Sequence, residues 1–281
     1  MTTTLRPAGP LQQTPDGARS RPYEVRVNSR RVGAVVLAAD TAFGPSVGVI
    51  RGLNVAEGDR RRGRATVAAL AGEEVLRGWG CREIRAEVPA EATAALRMAD
   101  GLGYRELGRY LAKDLTEGAA EPLPEGVRDR AMTGEEYAAW EAADRIEYAG
   151  TWIARGLSPE AARLKAERDH AVMLPAGLDS PGVAFRVLEA AGEPVGQVWV
   201  APGTAGGPEE GHGYVFDVAV REGHRRRGHG RSLMRVAERV AREAGHTTLS
   251  LHVFADNTGA RELYLSLGYR PTRVVFRKEL W

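Results

Sequence analysis

Two periods of hydrophobic and polar positions alternate along the last third of the chain. Gly213 to Val220 is a strand-length stretch of mixed apolar content, and Thr247 to Phe254 alternates like a buried strand. Between them Leu233, Val236, Ala237, Val240, Ala241 and Ala244 recur at helical spacing until Gly245 ends the run. Asn257 opens a second helical stretch that stops at Gly268, and Val274 to Leu280 predicts a closing strand. This order of elements predicts an α/β or α+β layer structure. Upstream, Glu135 to Met173 is acidic and rich in Ala and Arg, and reads as two helices with breaks at Gly150 and at Gly156-Leu157-Ser158-Pro159. Near the start, a turn region with Pro and Gln leads from Leu5 to a strand pair, Tyr23–Val27 and Val32–Leu37.

The same pattern occurs twice. Arg60-Arg61-Arg62-Gly63-Arg64-Ala65 and Arg225-Arg226-Arg227-Gly228-His229-Gly230 lie 165 residues apart. That offset also joins Gly48 to Gly213, Gly80 to Gly245, Gly103-Tyr104-Arg105 to Gly268-Tyr269-Arg270, Lys113 to Lys278 and Leu115 to Leu280. Constancy over about seventy positions marks a duplicated domain. A polar, Pro- and Gly-containing stretch, Thr116 to Gly126, reads as the connection. The expected organisation is a first domain over 1–118, a linker over 119–126 and a second domain over 127–281. The N-terminal copy lacks the first two helices.

Composition narrows the classes. A length of 281 residues gives each copy enough chain for its own core. A net charge of +2 excludes a global field for nucleic acid. No apolar run reaches the ~18 residues of a membrane span, and Met1 to Gly9 lacks the layout of a signal peptide. Cys81 is the only cysteine, so no intramolecular disulfide forms. A cytoplasmic protein with neither a nucleic-acid nor a membrane partner is expected, and no metal site. Lysine occurs only at 113, 165 and 278, an arginine bias that suggests a bacterial genome rich in G and C.

The candidate chemistry begins at the basic glycine loop. Glycines let successive backbone N–H groups point into one concavity, and the helix N-terminus behind them adds partial positive charge. Arg225-x-x-Gly228-x-Gly230, set between a strand and a helix, is therefore a candidate pyrophosphate site, to which Arg225, Arg226 and Arg227 add charge. Asn257 and Tyr264 are seven residues apart, two helical turns, so they face the same way.

Taken together, Val220, the Arg-x-x-Gly-x-Gly loop, a helix, a strand and Asn257-x6-Tyr264-x3-Gly268-Tyr269 resemble the GNAT superfamily of N-acetyltransferases. The resemblance implies two tandem domains, each a mixed, mostly antiparallel twisted sheet flanked by helices, with acetyl-CoA as cosubstrate. By that resemblance Arg225, Arg226, Arg227, Gly228, His229, Gly230 and Arg231 hold the pyrophosphate. Val218, Ala219 and Val220 hold the pantetheine arm, Asn257 steadies it, and Tyr264 protonates the leaving thiolate. A phenol of pKa about 10 against a thiol of about 8.5 is mismatched by only a unit or two.

The general base is less defined. The family often has a glutamate where this chain has Tyr214. Asp217 is on the same strand, but simple alternation turns it to the face opposite Tyr214. His252 on the neighbouring strand titrates in a useful range. Tyr214, Asp217 and His252 are therefore all candidates beside Tyr264, and a base acting through water is a further one. In the first copy Asn257, Tyr264, Asp217 and His252 become Ala92, Ala99, Gly52 and Glu87. That copy is expected to be inactive, serving as a packing partner or binding CoA without turnover.

The expected function is acetyl transfer to a primary amine, most simply of a small molecule, by the C-terminal domain. A protein lysine or N-terminus is the alternative acceptor, and a non-catalytic acyl-CoA-binding or regulatory module the alternative class. The expected partners are acetyl-CoA, an amine and, within the chain, the other domain; a homodimer is left open.

Overall fold

The computed structural model describes residues 2–15, 17–39, 46–118, 121–154, 157–203 and 210–280. They fall into two compact units: residues 1–108, 150–162 and 273–281 form unit 1, and 109–149 with 163–272 form unit 2. In chain order the elements are β1 (Thr3–Pro7), β2 (Gln12–Gln13), β3 (Arg19–Val27), β4 (Arg30–Ala39), β5 (Val47–Val55), α1 (Arg64–Gly78), β6 (Glu83–Pro89), α2 (Thr93–Gly101) and β7 (Arg105–Asp114). Then come β8 (Val127–Ala131), α3 (Gly134–Ile153), α4 (Pro159–Met173), β9 (Ala184–Ala190), β10 (Glu193–Pro202), β11 (Gly213–Val220), α5 (His229–Glu243), β12 (Thr248–Phe254), α6 (Thr258–Ser266) and β13 (Arg270–Glu279).

In unit 1 the strands run β1-β3-β4-β5-β6-β13, with β2 against β3. All of these pairs are antiparallel except β5 with β6. Asn28 and Ser29, both left-handed at φ 47 and 71, make the two-residue turn between β3 and β4. The predicted strand pair is thus part of a larger hairpin sheet, whose first two strands lie in the stretch read as a turn region. In unit 2 the order is β7-β12-β11-β10-β9-β8, and β11 pairs with β12 in parallel.

The units are not the two contiguous halves of the chain. Most of the last strand of the second repeat, from Arg273 on, belongs to unit 1, and most of the first repeat's last strand belongs to unit 2. In unit 1, Val274, Phe276 and Leu280 are buried in the same core as Leu37, Leu76 and Ile84. In unit 2, Leu111 and Leu115 join the core of Leu233, Val236 and Leu249. The matching ion pairs are also exchanged. Lys278 Nζ donates to Glu73 Oε2 of α1 at 2.6 Å, and Lys113 Nζ donates to both Glu238 oxygens of α5 at 2.8 Å. Each ammonium also stands over a buried tyrosine ring, Tyr104 and Tyr269 respectively, at 5.3 and 5.7 Å.

Helix α5 forms as its period predicts, placing Leu233, Met234, Val236, Ala237 and Ala241 under the sheet with almost no exposure. Burying each large apolar chain contributes about 1.5–3 kcal/mol, so this face holds the helix in place. In the upstream region the expected break at Gly150 is absent. Gly150 lies inside α3, and α4 begins where Ser158 accepts a hydrogen bond from the Ala161 N–H (3.3 Å) and Pro159 takes the first helical position. Gly156, at the other expected break, is outside the described residues. Cys81 is buried in unit 1 beneath Gly48, and burial pushes its thiol pKa up, as for an inert packing residue. No helix of the described residues is long and apolar enough to cross a membrane.

Candidate active site

The parallel ladder of unit 2 is short. β11 pairs with β12 only from Gly213 to Val215 against Leu249 to Leu251, after which the strands diverge. The gap is a cavity of about 160 Å³ lined by Val215, Phe216, Asp217, Val218, Leu251, His252, Val253, Phe254, Asn257 and Tyr264. Beyond the ladder, the edge of β11 that faces this gap presents backbone groups that β12 no longer satisfies. An extended, amide-bearing chain can take them as a neighbouring strand would.

A bulge sets the side chains of β11. Trp199 of β10 stands opposite Asp217, whereas the next residue, Val200, stands opposite Val215, so Phe216 is the extra residue. Alternation is broken there, and the expectation that Asp217 faces away from Tyr214 is corrected. Phe216 contacts the Tyr214 ring (4.8 Å between centroids) and stacks on Trp199 at 4.7 Å. Asp217 accepts hydrogen bonds from Trp140 Nε1 of α3 (3.2 Å) and Gln197 Nε2 of β10 (3.3 Å), both on Oδ2. Burial, against these two bonds, raises the Asp217 pKa, and the charges of Asp144 and Glu147 raise it further.

Tyr264 comes from the buried face of α6 and is 6% exposed. Burial, with a further contribution from the Asp217 charge, pushes its phenol to about 12. The mismatch with a thiol of about 8.5 is therefore three to four units, wider than an unperturbed phenol gives. His252 reaches the same cavity from β12, its ring 5.0 Å from that of Tyr110 and 4.9 Å from that of Phe254. Asn257 caps α6: its side chain accepts from the Ala260 N–H at 3.2 Å.

The basic loop leaves the diverging end of β11. Arg225 Nε donates to the Val220 carbonyl (3.2 Å), Arg226 is left-handed at φ 64, and Gly228, at φ 85, is the N-cap of α5. The first N–H groups of α5 have no partner within the helix. A Cβ on Gly228 would meet nothing within 4 Å, so the concavity is open there. Gly230 serves packing instead, since a Cβ would stand 3.1 Å from Leu263 of α6. An open concavity of N–H groups with three arginines beside it, at the mouth of a strand gap, fits the anionic end and the arm of acetyl-CoA.

The sequence-derived residues thus separate. Asp217, Val218, His252, Asn257 and Tyr264 line one cavity, and Arg225 to Arg231 form the loop beside it. Ala219 and Val220 follow Val218 on β11, and Tyr214, in ring contact with Phe216, is outside the lining. Trp140, Gln197, Phe216 and Phe254 were not read from the sequence. The uneven apolar content of Tyr214 to Val218 was the one sign of a bulge.

Unit 1 has the same frame with other contents. Arg60 Nε donates to Val55 O at 2.8 Å, Arg61 is left-handed at φ 56, and Gly63, at φ 69, is the N-cap of α1. Here, however, Asp59 is buried just before the loop. It accepts from both Arg30 guanidinium nitrogens at 2.8 and 2.9 Å and pairs with Arg64, the residue after Gly63. The corresponding residue of the second repeat is His224.

A mixed sheet with one diverging parallel pair, an N–H-lined loop at a helix start and an acid–phenol pair in the gap define an acyl-CoA-dependent transferase. The acetyltransferase (GNAT) family model matches residues 5–104 and 147–269, and the chain belongs to that family; it is an acetyl-CoA-dependent acyltransferase with tandem GNAT domains. Both matched regions stop just before an exchanged strand. The uncharacterized N-acetyltransferase YycN of Bacillus subtilis is 32% identical over 133 residues, covering 47% of this chain and 81% of that one. A mycothiol acetyltransferase of Streptomyces avermitilis is 32% identical over 231 residues, covering 78% of this chain and 68% of that one. A solved tandem GNAT protein from the clavulanic acid biosynthesis pathway shares the fold with a TM-score of 0.54 at 20% identity, over 95% of this chain and 85% of that one.

Proposed function

We propose that unit 2 carries the reaction: acetyl transfer from acetyl-CoA to the primary amine of a small molecule, in the cytoplasm. One observation carries this reading. Asp217, His252 and Tyr264 converge on the cavity at the end of the basic loop, and their counterparts in the first repeat are Gly52, Glu87 and Ala99. The name of the mycothiol acetyltransferases supports a small acceptor.

Acetyl-CoA, when bound, supplies the activated thioester. Backbone N–H groups and arginines of the loop from Arg225 to Arg231 bind its pyrophosphate. The inner edge of β11, Val218 to Val220, orients its arm, with Asn257 beside it. Both hydrogen bonds to Asp217 fall on Oδ2, leaving Oδ1 to take a proton from the acceptor ammonium. Its raised pKa suits that task better than an ordinary carboxylate near 3.9 would. Tyr264 stays protonated across the neutral range and gives its proton to the departing sulfur as the C–S bond breaks, and the second proton shed by the attacking nitrogen as the amide forms restores the phenol. The wide pKa mismatch makes this donation useful only as negative charge builds on the sulfur.

Unit 1, in this reading, takes no acetyl-CoA, because the buried carboxylate of Asp59 stands just before its loop and pairs with Arg64, the residue after Gly63. Replacing Tyr264 with Phe is expected to lower turnover roughly 10- to 1000-fold in a thiol-release assay. Acetyl-CoA affinity by calorimetry should change little. An unchanged rate with an accepted amine would remove Tyr264 from the mechanism, and absence of turnover with any amine would favour a binding module.

A further inference from the structure

We propose that Trp140 and Gln197 are positioning residues: their two N–H donors clamp one oxygen of Asp217 so that the other, Oδ1, receives the acceptor's proton. The inference rests on the assignment of Asp217 as the base. Trp140 Nε1, from α3, and Gln197 Nε2, from β10, both donate to Oδ2, at 3.2 and 3.3 Å. An indole N–H donates only, so a proton on Oδ2 would compete with it and with Gln197 for the same oxygen. The proton therefore falls to Oδ1. Donors from two separate elements also fix the rotation of the carboxylate, where a single one would let it swing. Each donor is itself held. The Trp140 ring packs edge-on against Phe185 (4.6 Å) and Trp199 (5.3 Å). Gln197 stands opposite Ala219, two residues beyond Asp217, which makes Gln197 and Asp217 diagonal neighbours on one face of the ladder.

The first repeat lacks every part of this clamp. Gly52 replaces Asp217. In the ladder of β4 with β5, Ala34 stands opposite Asn54, the counterpart of Ala219, so Ala34 takes the place of Gln197. No helix precedes β3 among the described residues, so nothing corresponds to the helix that carries Trp140. Acid and donors are kept together in one unit and lost together in the other. Burial raises the Asp217 pKa, and the bonds from Gln197 and Trp140 oppose that rise. The clamp thus keeps a buried carboxylate ionised and ready to take a proton. Tyr264 from α6 and His252 from β12 line the same cavity, and the charges of Asp144 and Glu147 on α3 raise the Asp217 pKa further.

The test titrates Asp217 directly in the full chain, by the NMR shift of its carboxyl carbon in isotope-labelled protein, assigned by its loss in Asp217→Asn. Gln197→Met and Trp140→Phe each remove one donor and keep most of the packing. In each the midpoint should move to higher pH, because the ionised form loses a hydrogen bond. The acid limb of kcat/KM, measured with the fastest primary amine from a thiol-release screen, should move with it. Well below the midpoint kcat/KM should fall roughly tenfold more than on the plateau. Lost packing alone would lower the rate equally at every pH. Should Trp140→Phe melt without a cooperative transition, Gln197→Met alone decides. A limb unmoved in Gln197→Met but abolished in Asp217→Asn would overturn the clamp and leave Asp217 as the base. A limb intact in Asp217→Asn would remove the base assignment and this inference with it.

Discussion

Where unit 2 buries a phenol, Tyr264, unit 1 has the methyl of Ala99, yet the helices that carry them begin and end at equivalent residues. Arg226 and Arg61 share a left-handed backbone, as do Gly228 and Gly63, and the arginine bond to the end of the preceding strand is made in both. Loop geometry therefore outlasts chemistry. The turn is fixed by glycine at positive φ and by covalent sequence spacing, which any viable copy of the fold must keep. The proton-handling side chains are replaceable once only one site works. Asp59 makes the contrast sharper, because it places a carboxylate beside the very concavity that suits an anion in the other unit.

The largest expected effect tests whether the units are contiguous. Removing residues 273–281 strips Val274, Phe276 and Leu280 from the core of unit 1, at about 1.5–3 kcal/mol each. That approaches the whole of a typical folding stability of about 5–15 kcal/mol. Unit 1 is expected to lose its cooperative melting transition in calorimetry. A shortened chain that melts like the full one would show that the last strand is dispensable to unit 1. For the same reason a fragment of residues 1–118 is expected not to fold, and donor binding is best measured on the full chain.

Next comes the base. If Asp217 takes the acceptor proton, kcat/KM falls as pH drops through its raised pKa, so the acid limb lies above that of an ordinary carboxylate. Asp217→Asn should lower the rate by roughly 10²- to 10⁴-fold and abolish that limb. A pH–rate profile with the limb intact in Asp217→Asn would pass the role to His252. The high-pH side should show no loss from Tyr264 below about 12.

A smaller effect compares the loops directly. A valine at Gly228 must adopt φ near 85, which costs about 1–2 kcal/mol, and its side chain enters the open concavity. Acetyl-CoA is expected to bind roughly tenfold or more weakly by titration calorimetry. The same change at Gly63 should leave donor affinity and a one-to-one stoichiometry unaltered. Two donors per chain, or a lost second site in Gly63→Val, would show that unit 1 binds despite Asp59.

Much of this was legible in the chain. Helix α5 and strands β11 and β12 follow from strong local periodicity, and the loop from glycines whose conformation no other residue adopts cheaply. Tyr264 was legible through family resemblance, whereas Asp217 and His252 stood only as alternative candidates for the base, since nothing local brings β11, β12 and α6 together. Three features were hidden for physical reasons. The bulge at Phe216 depends on pairing with β10. The strand exchange leaves the sequence pattern unchanged, because Lys113 and Lys278 suit either Glu238 or Glu73 equally well. Gly150 reads as a break, but one glycine in a helix costs only about 1 kcal/mol, which a buried Trp152 nearby easily offsets.

The smallest difference between the units is also the cleanest to exchange. Asn257 caps α6 at φ −82, ψ 66, and Ala92 precedes α2 at φ −78, ψ 63 with no side-chain cap. The backbone is already in place in both, so only the side-chain oxygen differs. Asn257→Ala should cost about 1 kcal/mol by denaturant titration, and Ala92→Asn should return a similar gain in unit 1. The exchange also separates two roles at Asn257. A cap acts on stability alone, whereas a contact to the donor raises the KM for acetyl-CoA. Asn257→Ala with stability lowered and that KM unmoved would leave Asn257 a helix cap and no more, and Ala92 would then mark lost stability rather than lost chemistry.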